Sequence, residues 1–271
     1  MITLSSDFGS PYPAAMKGVV LQRTDARLVD VSHTFPRQDV RAAAFWLREI
    51  LPYFPPATHL VVVDPGVGTD RAAIAVEAGE HVLVGPDNGV LLPAARELAG
   101  AADDADAEAA TSAEADAIRV HEIGYEDAAS STFHGRDVFA PAAAAVHESW
   151  AADRTVPDAV DGLGAVTPTD EFVDLELPEP AIEGDAVRCE VLVVDDFGNA
   201  ITNVPGYVLE SLDEVRVDGR AVPAVETFAE VPEGQWLATV GSHGNVELDV
   251  NRGRGDEAFG VEAGDSVRLE L

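Results

Sequence analysis

Residues able to do chemistry collect where apolar runs end. Asp7 follows the short run Ile2-Thr3-Leu4, and Asp64 follows Leu60-Val61-Val62-Val63, the most apolar strand-like segment of the chain. The loop Asp64-Pro65-Gly66-Val67-Gly68-Thr69-Asp70-Arg71 is tight enough to fold Arg71 back beside Asp64. Such a pair joins a carboxylate, which accepts, to a guanidinium, which only donates. His134 sits in Ser130-Ser131-Thr132-Phe133-His134-Gly135-Arg136-Asp137 and can orient or accept a proton near neutral pH. Each also has a plainer use, Asp64 as the turn former before Pro-Gly and His134 as a packed loop histidine. The seven histidines contain no His-x-x-x-His pair, so no metal site and no metal cofactor are expected. Two other patterns mislead. Asp-Phe-Gly occurs at Asp7 and again at Asp196, without the glycine-rich loop, strand lysine and His-Arg-Asp loop of a kinase. Gly66-Val67-Gly68-Thr69 lacks the Gly-Lys-Ser/Thr of a phosphate loop.

Positioning such residues requires strands with helices between them. Residues 1–9 and 27–32 read as strands, and residues 14–23 as a helix. Asp39 caps a second helix whose apolar positions recur at helical spacing up to Leu51, with Pro52 ending it. Residues 60–63 form a strand buried on both faces, 73–78 and 81–85 a strand pair, and 91–98 a helix after the turn Gly85-Pro86-Asp87-Asn88-Gly89. Residues 117–122 continue as a strand and 138–148 as a helix. This alternation predicts an α/β N-terminal domain with a largely parallel sheet over residues 1–168, where ligands bind beyond the carboxyl ends of the strands. Residues 101–116 hold eight Ala, six acids and nothing large, which marks a solvated acidic insertion. Residues 169–185 read as a linker. Short strands at 187–194, 200–203, 214–217, 236–240, 246–250 and 266–271 then predict an all-β C-terminal domain over 186–271, a small barrel or sandwich.

The 271 residues carry 49 acids against 17 bases, a formal net charge of −32. Such a field repels phosphates, so nucleic acid is excluded as a partner. With 46% apolar residues at periodic spacing the chain is folded, with a solvated acidic surface as in organisms with molar internal salt. Sixteen of the bases are Arg. Lys17 is the only lysine, and the sequence leaves it between a place near the site and a helix-surface cation. No apolar run reaches the ~18 residues of a membrane span, the N-terminus lacks a secretory pattern, and the single Cys189 has no partner for a disulfide. The expected address is cytoplasmic, with no membrane partner.

Six blocks in order go further. Ser6-Asp7-Phe8-Gly9, Ala15-Met16-Lys17-Gly18-Val19, Val63-Asp64-Pro65-Gly66-Val67-Gly68-Thr69 with Arg71, Gly85-Pro86-Asp87-Asn88-Gly89, Thr132 to Pro141, and Asp196-Phe197-Gly198-Asn199 with Ile201-Thr202-Asn203 follow one another along the chain. The set resembles the SAM hydroxide adenosyltransferase family, relatives of the fluorinase and chlorinase, over about residues 2–271. The resemblance implies hydrolysis of S-adenosyl-L-methionine (SAM) to adenosine and L-methionine, with SAM as substrate and no cofactor. It implies a homotrimer holding SAM between the N-domain of one subunit and the C-domain of the next. The family's water-activating trio falls on Asp64, Arg71 and His134, and its ribose carboxylate on Asp7. Its adenine and methionine contacts fall on Asp195, Phe197, Asn199 and Ser242, with backbone groups near Asn251 and Arg252. Phe133 and Phe197 offer flat faces to a purine or ribose.

The residues suit that reaction. A sulfonium is already an activated leaving group, so the task is to place water in line with the C5′–S bond. Two other readings stay open on the sequence: a SAM-dependent halogenase, argued against by the acid at Asp64 and by Gly135 where halogenases carry a hydroxyl, and a non-catalytic adenosine or SAM binder. This chain also departs from the family pattern. It is two residues shorter between Asp7 and Lys17, where an acid that helps hold the methionine ammonium is missing, and it has His243 where relatives often carry Arg or Asn.

Overall fold

The computed structural model describes residues 1–105, 118–125 and 130–271. They form two compact units, Met1–Glu176 and Leu177–Leu271. The first contains β1 (Ile2–Ser6), α1 (Tyr12–Leu21), β2 (Leu28–Ser32), α2 (Val40–Ile50), β3 (Thr58–Val62), β4 (Ala73–Ala78), β5 (His81–Pro86), α3 (Leu92–Ala105), β6 (Arg119–Ile123), α4 (Ala140–Asp153) and β7 (Val166–Pro168). Its seven strands run in the order β2-β1-β3-β5-β4-β6-β7. The first four are mutually parallel, and the rest are antiparallel extensions beginning with the β4–β5 pair.

Layering follows from the apolar pattern. β1, β3, β4 and β5 are buried along their whole length, as strands covered on both faces must be. One core joins Met16, Val20, Phe139, Val146 and Trp150 of the α1 and α4 side to Ile2, Leu4, Leu60 and Val62. The other joins Leu47, Leu92, Ala95 and Leu98 of α2 and α3 to Val61, Val63, Ile74 and Leu83. Asp39 caps α2, its Oδ1 accepting from the Ala42 amide at 2.9 Å, and a short 3-10 turn over Leu51–Tyr53 ends the element at Pro52.

Two details differ from the sequence reading. The helix expected to begin at 138 begins with a π turn over Gly135–Phe139 that runs straight into α4, with the Phe139 ring buried in the core. Residues 101–105 complete α3, and the rest of the expected acidic insertion lies outside the described residues. Lys17 settles as a half-exposed cation on α1, paired with Asp30 at 2.5 Å.

The second unit contains β8 (Ala181–Glu183), β9 (Ala186–Val194), β10 (Ala200–Pro205), β11 (Glu214–Val217), β12 (Arg220–Pro223), β13 (Trp236–Val240), β14 (Asn245–Val250), α5 (Gly255–Phe259) and β15 (Ser266–Glu270). All ladders are antiparallel, in the order β12-β11-β15-β9-β10-β14-β13, with β8 on β9. A bridge between Ala224 and Ala238 brings the two edges together, so the sheet is nearly closed, a barrel around Val187, Val191, Val204, Val246, Leu248 and Leu269.

At the amino ends of the first unit's strands lies a buried polar row. The Thr3 hydroxyl meets His59 Nδ1 at 2.7 Å, and His59 Nε2 meets His81 Nδ1 at 2.9 Å with the rings stacked. Burial, and then the neighbouring His81, lower the His59 pKa to about 3. As pH falls below about 6.5 the unfolded chain takes up a proton here that the folded chain refuses, so this site withdraws up to about 1.4 kcal/mol per pH unit. The stability advantage of the parent chain over His59→Gln is expected to shrink steadily from pH 6.5 to pH 4, read from urea midpoints.

Candidate active site

The site is set by strand register. β1 and β3 are parallel with Ser6 opposite Val62, so Asp7 and Asp64 leave the sheet at the same end of neighbouring strands. After β3 the chain turns at once, the Val67 amide donating to the Asp64 carbonyl and the Thr69 amide to the Gly66 carbonyl. Gly68 makes this possible: its φ is +81°, and a Cβ there would stand 2.6 Å from the carbonyl oxygen of Ser131. The 64–71 loop therefore presses against the loop that carries His134.

Arg71 closes the arrangement. Its Nε donates to Asp64 Oδ1 at 2.8 Å, and Nη2 donates both to Asp64 Oδ2 and, at 2.9 Å, to His134 Nδ1. Both side chains of the ion pair are more than nine-tenths buried. The guanidinium also lies over the Phe139 ring, 4.8 Å from its centroid. An arginine N–H cannot accept, so Nδ1 of His134 contributes a lone pair, and the neutral ring carries its proton on Nε2. Burial first, and then the positive charge of Arg71, hold the His134 pKa below the ordinary imidazole value, against the opposite pull of Asp64 and Asp137.

Around the trio opens a cavity of about 670 Å³ lined by Asp7, Phe8, Tyr12, Asp64, Phe133 and His134, among others. Asp7, on the wall of this cavity, accepts from the Gln38 amide at 2.7 Å through Oδ2. Phe8, Tyr12 and Phe133 meet edge to face with centroids 5.4–6.2 Å apart and build an apolar wall. Asp64 and Arg71 of one loop and His134, distant in the chain, thus come together, with Asp7 and Phe133 lining the cavity beside them.

The other expected residues lie in the second unit. Asp195 organises the β9–β10 turn, its Oδ1 accepting from the Phe197 and Asn199 amides and its Oδ2 from the Asn199 side chain. Phe197 is 78% exposed, a ring displayed with little packing of its own. Ser242 and His243 form the β13–β14 turn, where His243 Nε2 meets Glu247 at 2.9 Å. The Asn251 side chain donates to the Val231 carbonyl, and Arg252 holds a left-handed backbone, φ 57°.

Sequence reasoning missed several neighbours. Gln38 reaches Asp7 through a backbone N–H, which no side-chain pattern announces. Asp249 is fully buried in β14 with neither carboxylate oxygen hydrogen-bonded. Burial, reinforced by Glu247 and Asp195, pushes its pKa up to about 8. Alternation with Val246, Leu248 and Val250 would instead turn it to solvent, so no sequence pattern announces its burial. Among the described residues no group of three or more His, Cys, Asp or Glu is placed to hold a metal ion.

Comparison with known proteins agrees across the whole chain. Family models described as the SAM hydroxide adenosyltransferase N-terminal and C-terminal domains match residues 2–155 and 189–268. The protein named (R)-S-adenosyl-L-methionine hydrolase from Salinispora tropica is 39% identical over 272 residues, 99% of this chain and 97% of that one. Its namesake from Thermus thermophilus is 41% identical over 268 residues, 97% of each. Among solved structures, an uncharacterized conserved protein from Thermotoga maritima superposes with a TM-score of 0.76 at 30% identity, covering all of both chains. A conserved hypothetical protein from Thermus thermophilus gives 0.68 at 39% identity, over 99% of this chain and 98% of that one.

Gly135 offers a test of how tightly the cavity wall is packed. A Cβ there would stand 2.9 Å from Met16 Sδ, 3.2 Å from Phe133 Cε2 and 3.3 Å from Val62 Cγ1. Gly135→Ser is expected to cost about 1–3 kcal/mol of stability, measured by urea unfolding, as overpacking does.

Proposed function

The chain belongs to the SAM hydroxide adenosyltransferase family, and from that premise we propose how it hydrolyses S-adenosyl-L-methionine to adenosine and L-methionine. The nucleoside occupies the cavity beside Asp64, the ribose diol donating to Asp7, since a carboxylate can accept two such bonds in parallel. The aromatic wall of Phe8, Tyr12 and Phe133 takes the apolar faces. Water attacks C5′ from the side opposite sulfur, and the C5′–S electron pair leaves with the sulfonium sulfur as a neutral thioether.

One hydrogen bond carries the assignment of roles. Because Arg71 Nη2 donates to His134 Nδ1, the other ring nitrogen is a donor, so His134 orients the water instead of deprotonating it. Asp64, bound by Arg71 through one lone pair on each oxygen, keeps a second lone pair on each to receive the water's proton. Arg71 keeps the carboxylate aimed and never competes for that proton. A carboxylate at this point also repels halide, which separates hydrolysis from halogenation.

The remaining contacts in this proposal come from Asp195, Phe197, Asn199, Ser242 and the backbone at Asn251 and Arg252, supplied by a neighbouring copy in a homotrimer. The acidic surface suits concentrated salt, and a lone cysteine suits a cytoplasmic address. No helix among the described residues is long and apolar enough to cross a membrane.

Incubation with each sulfonium epimer of SAM in ¹⁸O water and molar potassium chloride, followed by chromatography and mass spectrometry, tests the reading. Adenosine labelled at the 5′-oxygen is expected from the epimer named in the relatives. Chlorinated nucleoside, or unchanged SAM, would sink it. Asp64→Asn is expected to lower turnover by roughly a hundredfold or more.

The pH profile follows from His134. Protonating Nδ1 removes the lone pair that receives Arg71, so kcat/KM is expected to hold at neutral pH and fall on acidification at a pH below the ordinary histidine value of about 6.5. His134→Gln should leave a lower rate without that acid limb.

A further inference from the structure

A second cavity of about 550 Å³ shares His134 with the first and is lined by Thr69, Asp70, Arg71, Glu122 and Tyr125, among others. We propose that Tyr125 is a positioning residue that holds the Arg71 guanidinium on Asp64 and His134 and keeps it out of this second cavity. The inference rests on the catalytic reading of Asp64, Arg71 and His134.

The contact is reciprocal. Tyr125 Oη donates to the backbone carbonyl of Arg71 at 2.9 Å and accepts from Arg71 Nη1 at 3.1 Å. A single hydroxyl therefore spends its donor on one end of Arg71 and its acceptor on the other, closing the side chain into a loop. The tyrosine ring also meets the His134 imidazole edge to face, with centroids 5.4 Å apart at 72°. Strand pairing places it there: Ala73 of β4 faces Ile123 of β6, and two further residues along the same antiparallel register set Tyr125 opposite Arg71.

The second cavity explains why a latch is needed. Arg71 is long and flexible, and this cavity gives its guanidinium room to swing away from Asp64. Without the hydroxyl, the guanidinium has room to leave. Each departure leaves Asp64 unaimed and frees Nδ1 of His134.

Tyr125→Phe removes one oxygen and keeps the ring. Its kcat is expected to fall about tenfold with KM for SAM unchanged, because the loss is one of geometry at the water. The acid limb should move to higher pH, since a guanidinium that leaves His134 no longer keeps its ring neutral, an effect that general loosening of the fold would not produce. Unchanged kcat and an unmoved acid limb in Tyr125→Phe would overturn the proposal. If that variant fails to fold, Tyr125→Gln, whose amide can both donate and accept, decides against Tyr125→Leu: higher activity for Gln supports the latch, and equal activity refutes it. Full activity in His134→Gln would instead remove the trio itself and leave the Tyr125 contacts as structure only.

Discussion

The buried pairing of Arg71 with Asp64 is the constraint on which the site depends. Taking a guanidinium and a carboxylate out of water is costly, and only close geometry with every remaining N–H satisfied offsets it. Here Asp64 takes the Nε hydrogen and one on Nη2, His134 Nδ1 takes the other on Nη2, the Tyr125 hydroxyl and the Ala72 carbonyl receive Nη1, and the Phe139 ring covers the face. Because the charges are shielded, their mutual orientation is stiff. The same stiffness fixes the tautomer of His134, its Nδ1 lone pair turned to Arg71 and its proton on Nε2.

That arrangement demands much of the backbone. Asp64 must leave β3 where the parallel half of the sheet ends, and the antiparallel partner β4 must begin just after Arg71, so the connecting loop has no slack. A glycine at position 68 lets the loop touch Ser131, and the π turn at 135–139 carries the chain from His134 back into the core within a few residues. The mixed sheet has a purpose in this light. Its parallel strands deliver Asp7 and Asp64 to one edge, and its antiparallel strands bring Tyr125 across from Arg71.

Charge acts at longer range. SAM at neutral pH carries one net positive charge through its sulfonium, whereas adenosine and zwitterionic methionine carry none. A chain of net charge −32 attracts the substrate and is indifferent to both products. In molar salt, where the Debye length is about 3 Å, that attraction is screened and short-range contacts decide binding.

Much was legible in the sequence because it depends on local pattern. The β-branched run before Asp64, the Asp39 cap, the proline stop at 52 and the alternation after residue 186 each reflect a preference that a few neighbouring residues decide by themselves. The ordered blocks around Asp7, Asp64 and His134 identified the candidate trio for the same reason. The tertiary structure decided what depends on residues distant in the chain. It set the acceptor role of His134 Nδ1, placed a backbone N–H of Gln38 on Asp7, and buried Asp249 without a partner. It also set Tyr125 against both ends of Arg71. No local propensity encodes these, since each arises only when strand register and loop contact bring separate segments within hydrogen-bonding distance.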